Sequence, residues 1–142
     1  RRRKMEKRMT NSLISITLIF SFLLITQGHS LQKSSSRVFE IRTYICHSGK
    51  LNDLNSRFRN HTNQFFVKHG MQFIGYWMPQ DKKDTLIYIL AFPSLEARSK
   101  SWEDFRNDEN WTKVYKESRK NGPIVKEIIS QLMDPTDYSP IR

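Results

Sequence analysis

The chain has 142 residues, with 24 Lys or Arg against 14 Asp or Glu, a net charge of +10, 37% hydrophobic residues and one Cys. That length suits a single domain plus an additional segment. One Cys excludes an internal disulfide, so a packed core has to hold the fold.

The additional segment comes first. Arg1, Arg2, Arg3, Lys4, Lys7 and Arg8 precede an apolar run from Leu13 to Thr26, broken only by Ser15, Thr17 and Ser21. Gly28 and Ser30 then occupy the small-residue positions of a cleavage site. A basic stretch, an apolar stretch and a small-x-small cut make residues 1–30 read as a secretory signal peptide. The run is shorter than the roughly 20 residues a bilayer-crossing helix needs. It is apolar all round, unlike an amphipathic mitochondrial presequence, and Cys46 lies too far downstream for a lipid anchor. The expectation is a secreted or periplasmic protein, with a mitochondrial location as the alternative and no stable membrane span after cleavage. Removing six basic residues and Glu6 lowers the net charge from +10 to +5. The remaining Lys and Arg are scattered among acids, which argues against a nucleic-acid partner.

Residues 31–37, with Ser34, Ser35 and Ser36, read as a polar linker, and the domain spans 38–134. Val38 to Ile45 alternates as a strand. Phe39, Ile41, Thr43 and Ile45 on one side read as core, and Val38, Glu40, Arg42 and Tyr44 on the other read as the face left open. Ser48 and Gly49 turn into a helix over 50–69, in which Leu51, Leu54, Phe58, His61, Phe65 and His69 share one stripe. Gly70 is placed as its left-handed stop. Met71–Met78 and Thr85–Phe92 read as a hairpin around the polar loop after Pro79. Cys46 is expected to be buried at a strand end as a small hydrophobe.

Ser94 is expected to cap a helix carrying Leu95, Trp102 and Phe105, and Asp108 a further piece carrying Trp111, Val114 and Tyr115. Gly122 and Pro123 end it, Val125–Met133 is the last strand, and a Pro-punctuated tail occupies 135–142. The order gives an α+β chain on the ferredoxin-like βαββαβ plan, an antiparallel sheet with helices on one face. A homodimer formed sheet against sheet would cover the other face.

The segment FEIRTYICHSGKLNDLNSRFRNHTNQFFVKHGMQFIGYW resembles the NIPSNAP domain. Glu40, Arg42 and Tyr44 fall on its first strand, Gly49 and Lys50 on its turn, and His61 and Thr62 on its His-Thr pair. His69 and Gly70, then Gly75 and Trp77, match the Lys-His-Gly and Gly-x-Trp signatures. Ser94, Leu95, Arg98, Trp102, Asp108, Trp111 and Tyr115 continue the pattern. The resemblance implies a dimeric α/β-barrel of ferredoxin-like halves without a settled activity. Animal members are mitochondrial and tied to membrane traffic, from which an export-type leader and a single domain copy depart.

His61 is the candidate catalytic residue, because imidazole titrates near neutrality; a hydrogen-bonded core histidine is the other reading. Arg42 reads either as the partner of Glu40 at a dimer interface or as a fork holding a carboxylate or enolate. Tyr44, Tyr76, Trp77 and Tyr88 are candidate walls of such a pocket. No metal or cofactor is expected, since eight steps of about 100° leave His61 and His69 about 80° out of register. No His-Glu-x-x-His, paired Cys or Gly-rich phosphate loop occurs either. Asn60-His61-Thr62 and Asn110-Trp111-Thr112 match a glycosylation sequon but fall in expected helices, so both read as chance matches. Two functions follow. One is an exported homodimer binding a partner or a small apolar or carboxylate ligand. The alternative is a cofactor-free monooxygenase-like enzyme acting on a small aromatic or enolisable substrate, by fold-level analogy.

Overall fold

The structure, a computed structural model, describes residues 37–142. The expected signal peptide, and the linker as far as residue 36, lie outside the described residues. Strand β1 (Val38–Cys46) leads into helix α1 (Leu51–Arg57), a π-helical turn (Phe58–Thr62) and helix α2 (Asn63–Lys68). Strands β2 (Gln72–Trp77) and β3 (Thr85–Phe92) follow, then helices α3 (Leu95–Asn107) and α4 (Glu109–Ser118), and strand β4 (Val125–Met133). The strands lie in the order β2-β3-β1-β4 and every neighbouring pair is antiparallel. This is the expected ferredoxin-like α+β plan, the protomer architecture of dimeric α/β-barrels.

Local chemistry sets the boundaries. Gly70, at φ +73°, takes the left-handed turn that closes α2, a conformation a Cβ would penalise. The Ser94 hydroxyl accepts from the Ala97 amide at 3.1 Å and caps α3. One oxygen of Asp108 accepts from the Asn110 and Trp111 amides at 2.8 and 3.2 Å and starts α4. Each cap satisfies amides that have no intrahelical partner. Cys46 is buried, and burial pushes its thiol up to about 11.

Two expectations are overturned. The first concerns the faces of β1. Tyr44 and Cys46 point into the core with Leu86, Tyr88, Leu90 and Phe92 of β3, beneath Leu54, Phe58, Phe66, Trp102 and Phe105 of the helices. Glu40 and Arg42 share that covered side with them. The other side carries Phe39, which is buried as expected, and Ile41, Thr43 and Ile45, which are only half-buried; these last three lie opposite Ile89, Ile87 and the buried Thr85 of β3, with Ile129 of β4 opposite Thr43. Alternation alone divides a strand into two sets without saying which set meets the helices. Here the aromatic core takes Tyr44, and a set of donors takes Glu40.

The second correction concerns the helical stripe. Leu54 and Phe58 are buried as expected, but then Thr62 and Phe66 are buried while His61 is exposed and Phe65 is half-buried. The π-helical turn supplies the reason. It inserts one residue into the α-helical count, so the buried positions run 54, 58, 62 and 66 rather than 54, 58, 61 and 65. The Thr62 hydroxyl donates to the Arg57 carbonyl at 3.2 Å, bridging the widened turn.

Alanine at Phe66, only 1% exposed, is expected to cost about 3–5 kcal/mol, and Leu54→Ala about 2–5 kcal/mol. Phe65→Ala is expected to cost less than Phe66→Ala, and His61→Ala to stay within about 0.5 kcal/mol of the parent. Denaturant melts of the four variants check the shifted stripe; a larger loss at Phe65 than at Phe66 would refute it.

Candidate functional site

A cavity of about 480 Å³ lies between the covered side of the sheet and the helices. Arg42 and Tyr44 reach it from β1; Arg57, Phe58 and Thr62 from the end of α1 and its π turn; Trp102 and Phe105 from α3. Trp111 and Tyr115 of α4 and Ile128 of β4 also line it. The lining is aromatic and cationic at once: Arg98, Arg106 and Arg119 also border it, and no Asp, Glu or His does.

One carboxylate stands behind this lining. Glu40 is 0% exposed. Its Oε1 accepts from Arg42 Nη1 and from the Ser130 hydroxyl, each at 2.6 Å, and its Oε2 from Arg98 Nε and Trp102 Nε1, each at 2.8 Å. Burial pushes its pKa up, but the donors of Arg98, Ser130, Trp102 and Arg42 outweigh burial and hold the group at about 2, against the ordinary 4.5. The charged form is therefore the folded form. Because the donors come from β1, α3 and β4, this one side chain joins the sheet to the helix layer.

Arg57 is the counterpoint. It is 5% exposed, and its one side-chain hydrogen bond among the described residues is a long 3.3 Å contact from Nη1 to the Ser118 hydroxyl. Its Nε–H is buried without a partner, and among the described residues no carboxylate lies within ion-pair distance. The guanidinium sits 5.3 Å from the Tyr115 ring centroid and 5.8 Å from that of Trp111. Burial pushes its pKa down, the direction expected of a cation moved away from water. Arg42 is held in a similar way, 4.4 Å from the Trp102 centroid and 5.5 Å from that of Tyr44, and its Nε–H is also buried and unpartnered.

Of the residues proposed from sequence, Arg42 and Tyr44 line the cavity. Tyr88 is fully buried beneath it, stacked on Tyr76 at 5.7 Å, and serves as core. Trp77 stands on the uncovered side, 51% exposed, with its indole across Gly75. His61 is turned out by the inserted residue and borders a shallower groove with Lys113 and Asn121. The sequence reading missed Arg57, Trp102, Trp111 and Tyr115 as site residues. The α3 and α4 aromatics were placed on helices without a role in the site, and the signal for Arg57 was an arginine beside Phe58 on an apolar stripe.

His69 belongs to a different cluster, in which its Nε2 lies 2.9 Å from Asp108 Oδ2, the oxygen that also pairs with Lys68 at 2.6 Å. The Lys68 bond foremost, with those of His69 and the α4 amides, holds the Asp108 carboxyl well below the usual range. This cluster fastens α2 to the start of α4. Among the described residues, no group of three His, Cys, Asp or Glu is placed to hold a metal, and no helix is long and apolar enough to cross a membrane.

The NIPSNAP family model matches residues 39–140. The chain belongs to the NIPSNAP family. Solved relatives share its fold. A NIPSNAP family protein of unknown function from Agrobacterium tumefaciens is 20% identical with a TM-score of 0.67, covering 76% of this chain and 96% of its own. A NIPSNAP-like domain protein from Burkholderia xenovorans is 14% identical with a TM-score of 0.67, over 75% of this chain and 90% of its own. SnoaB, a cofactor-independent oxygenase from Streptomyces nogalater, is 15% identical with a TM-score of 0.55, over 74% and 98%. At these identities the likeness speaks for the fold alone. A comparison with curated proteins finds no significant match.

Within this NIPSNAP domain, Glu40→Gln is expected to destabilise by about 3 kcal/mol at neutral pH, since two arginines lose their shared counter-charge. The parent's Glu40 contribution is complete above 4.5 and is lost as pH falls from there through about 2, because a depressed folded pKa means that the unfolded chain takes up the proton first. Melting curves across that range should therefore converge for parent and variant. Equal stability of the two proteins at neutral pH would contradict the role given to Glu40.

Proposed function

We propose that this NIPSNAP domain binds a small carboxylate or enolate ligand with a flat apolar body in the cavity between sheet and helices. The observation that carries the reading is Arg57, a nearly buried cation with no carboxylate partner among the described residues. A buried charge without a partner is costly, and an anionic ligand would remove that cost while the Trp and Tyr rings pack its body. The monooxygenase-like alternative is less well supported. It needs a base at the substrate, and its candidate, His61, does not border the cavity.

Two further parts of the reading concern assembly and location. The uncovered Ile41, Thr43, Ile87, Ile89 and Ile129, with half-exposed Trp77 at one edge, suit the sheet-against-sheet packing of a homodimer. The basic front and apolar run of residues 1–30 support export.

Trp102 and Trp111 both line the cavity, so tryptophan emission reports on its contents. Benzoate is expected to change the emission saturably and raise the melting temperature, whereas benzyl alcohol of similar size is not; no response to benzoate at millimolar concentration would sink the binding reading. Native mass spectrometry of material from the exported fraction should give a dimer of subunits lacking residues 1–30, and Ile89→Glu should give monomers. A full-length subunit mass would count against cleavage of the leader, absence of the protein from the exported fraction against export, and a monomeric parent against the dimer.

A further inference from the structure

The cavity holds not one arginine station but two, built alike on different elements. Arg42 of β1 lies over Trp102 and Tyr44, and Arg57 of α1 lies over Tyr115 and Trp111. A cation–π contact uses the face of a guanidinium and leaves its N–H edge free. On each of these arginines the Nε–H is buried and unpartnered. Both arginines border one cavity, so two aromatic-backed cations ask for two acceptor groups.

The charges agree with that count. Glu40 is shared by Arg42 and Arg98, at 2.6 and 2.8 Å, so three groups leave one positive charge at the first station. Arg57 leaves another at the second, having no carboxylate within ion-pair distance among the described residues. Arg106 and Arg119 are exposed at the border of the same cavity and also lack a carboxylate partner among the described residues. At the rim they attract anions without being desolvated. We propose that the ligand is a dianion, a flat apolar or aromatic body carrying two carboxylate-type groups, one bound at Arg42 and the other at Arg57.

This deepens the carboxylate-binding reading and rests on it. The test measures tryptophan emission of the whole domain against benzoate and its three dicarboxylate relatives, phthalate, isophthalate and terephthalate. At least one dicarboxylate is expected to bind about tenfold or more tightly than benzoate, the gain expected of a second charge-assisted bond. Arg57→Gln removes the second station together with its buried charge and is expected to bring that dicarboxylate to within about twofold of benzoate. Benzoate binding as tightly as all three dicarboxylates would overturn the dianion while leaving the carboxylate reading intact. No response to any of the four acids would overturn both. A dicarboxylate preference that survives unchanged in Arg57→Gln, with the variant's circular dichroism matching the parent, would remove Arg57 as the second station.

Discussion

A carboxylate with no exposure to water survives in a folded protein only where donors take the place of the water. Glu40 is that case, with four donors on its two oxygens. They come from its own strand, from the neighbouring edge strand and from α3, so the group fastens three elements at one point. Much of the site follows. The Arg42 guanidinium is oriented by Glu40 on one nitrogen and by the Trp102 ring on its face, and the Trp102 indole is itself oriented by Glu40. The cavity wall and the sheet-to-helix joint therefore depend on the same carboxylate.

The π-helical turn has a comparable influence on the helix layer. One inserted residue changes which side chains face inward beyond Phe58, putting Thr62 and Phe66 where an uninterrupted helix would put His61 and Phe65. The turn begins directly after Arg57, and the Thr62 hydroxyl bonds back to the Arg57 carbonyl. Such insertions often occur at functional sites, and here Arg57, Phe58 and Thr62 all border the cavity. Arg57 is left between rings that favour a cation and a buried setting that disfavours it, the condition in which a bound anion adds the most.

The two faces of the sheet then divide the work. The helix-covered face holds aromatic rings, the satisfied Glu40 and the arginines, and encloses space. The uncovered face is rich in isoleucine, with Trp77 at its edge. β-branched residues form a regular surface that packs well against another sheet, whereas interlocked aromatic rings such as Tyr44, Phe58 and Tyr88, with centroids 5.1–6.1 Å apart, fill the uneven space beneath helices. In the proposed dimer the isoleucine face makes the assembly and leaves the cavity to each protomer.

Local sequence chemistry determined the element order, the Gly70 stop, the Ser94 and Asp108 caps and the span of β4, because each depends on a few neighbouring residues or on a short-range period. The series of motifs through Gly75 and Trp77 also placed the chain in its family. Tertiary structure decided what periodicity leaves open. Alternation in β1 separates Glu40, Arg42 and Tyr44 from Ile41 and Thr43, but donors from α3 and β4 decide that the charged set is the covered one. A 3.6-residue period places His61 inward, but the π turn, which has no local signature in FRNHT, turns it out. Arg57 became legible as a site residue only once α4 brought Trp111 and Tyr115 against it, since a charge's burial is set by residues distant in the chain.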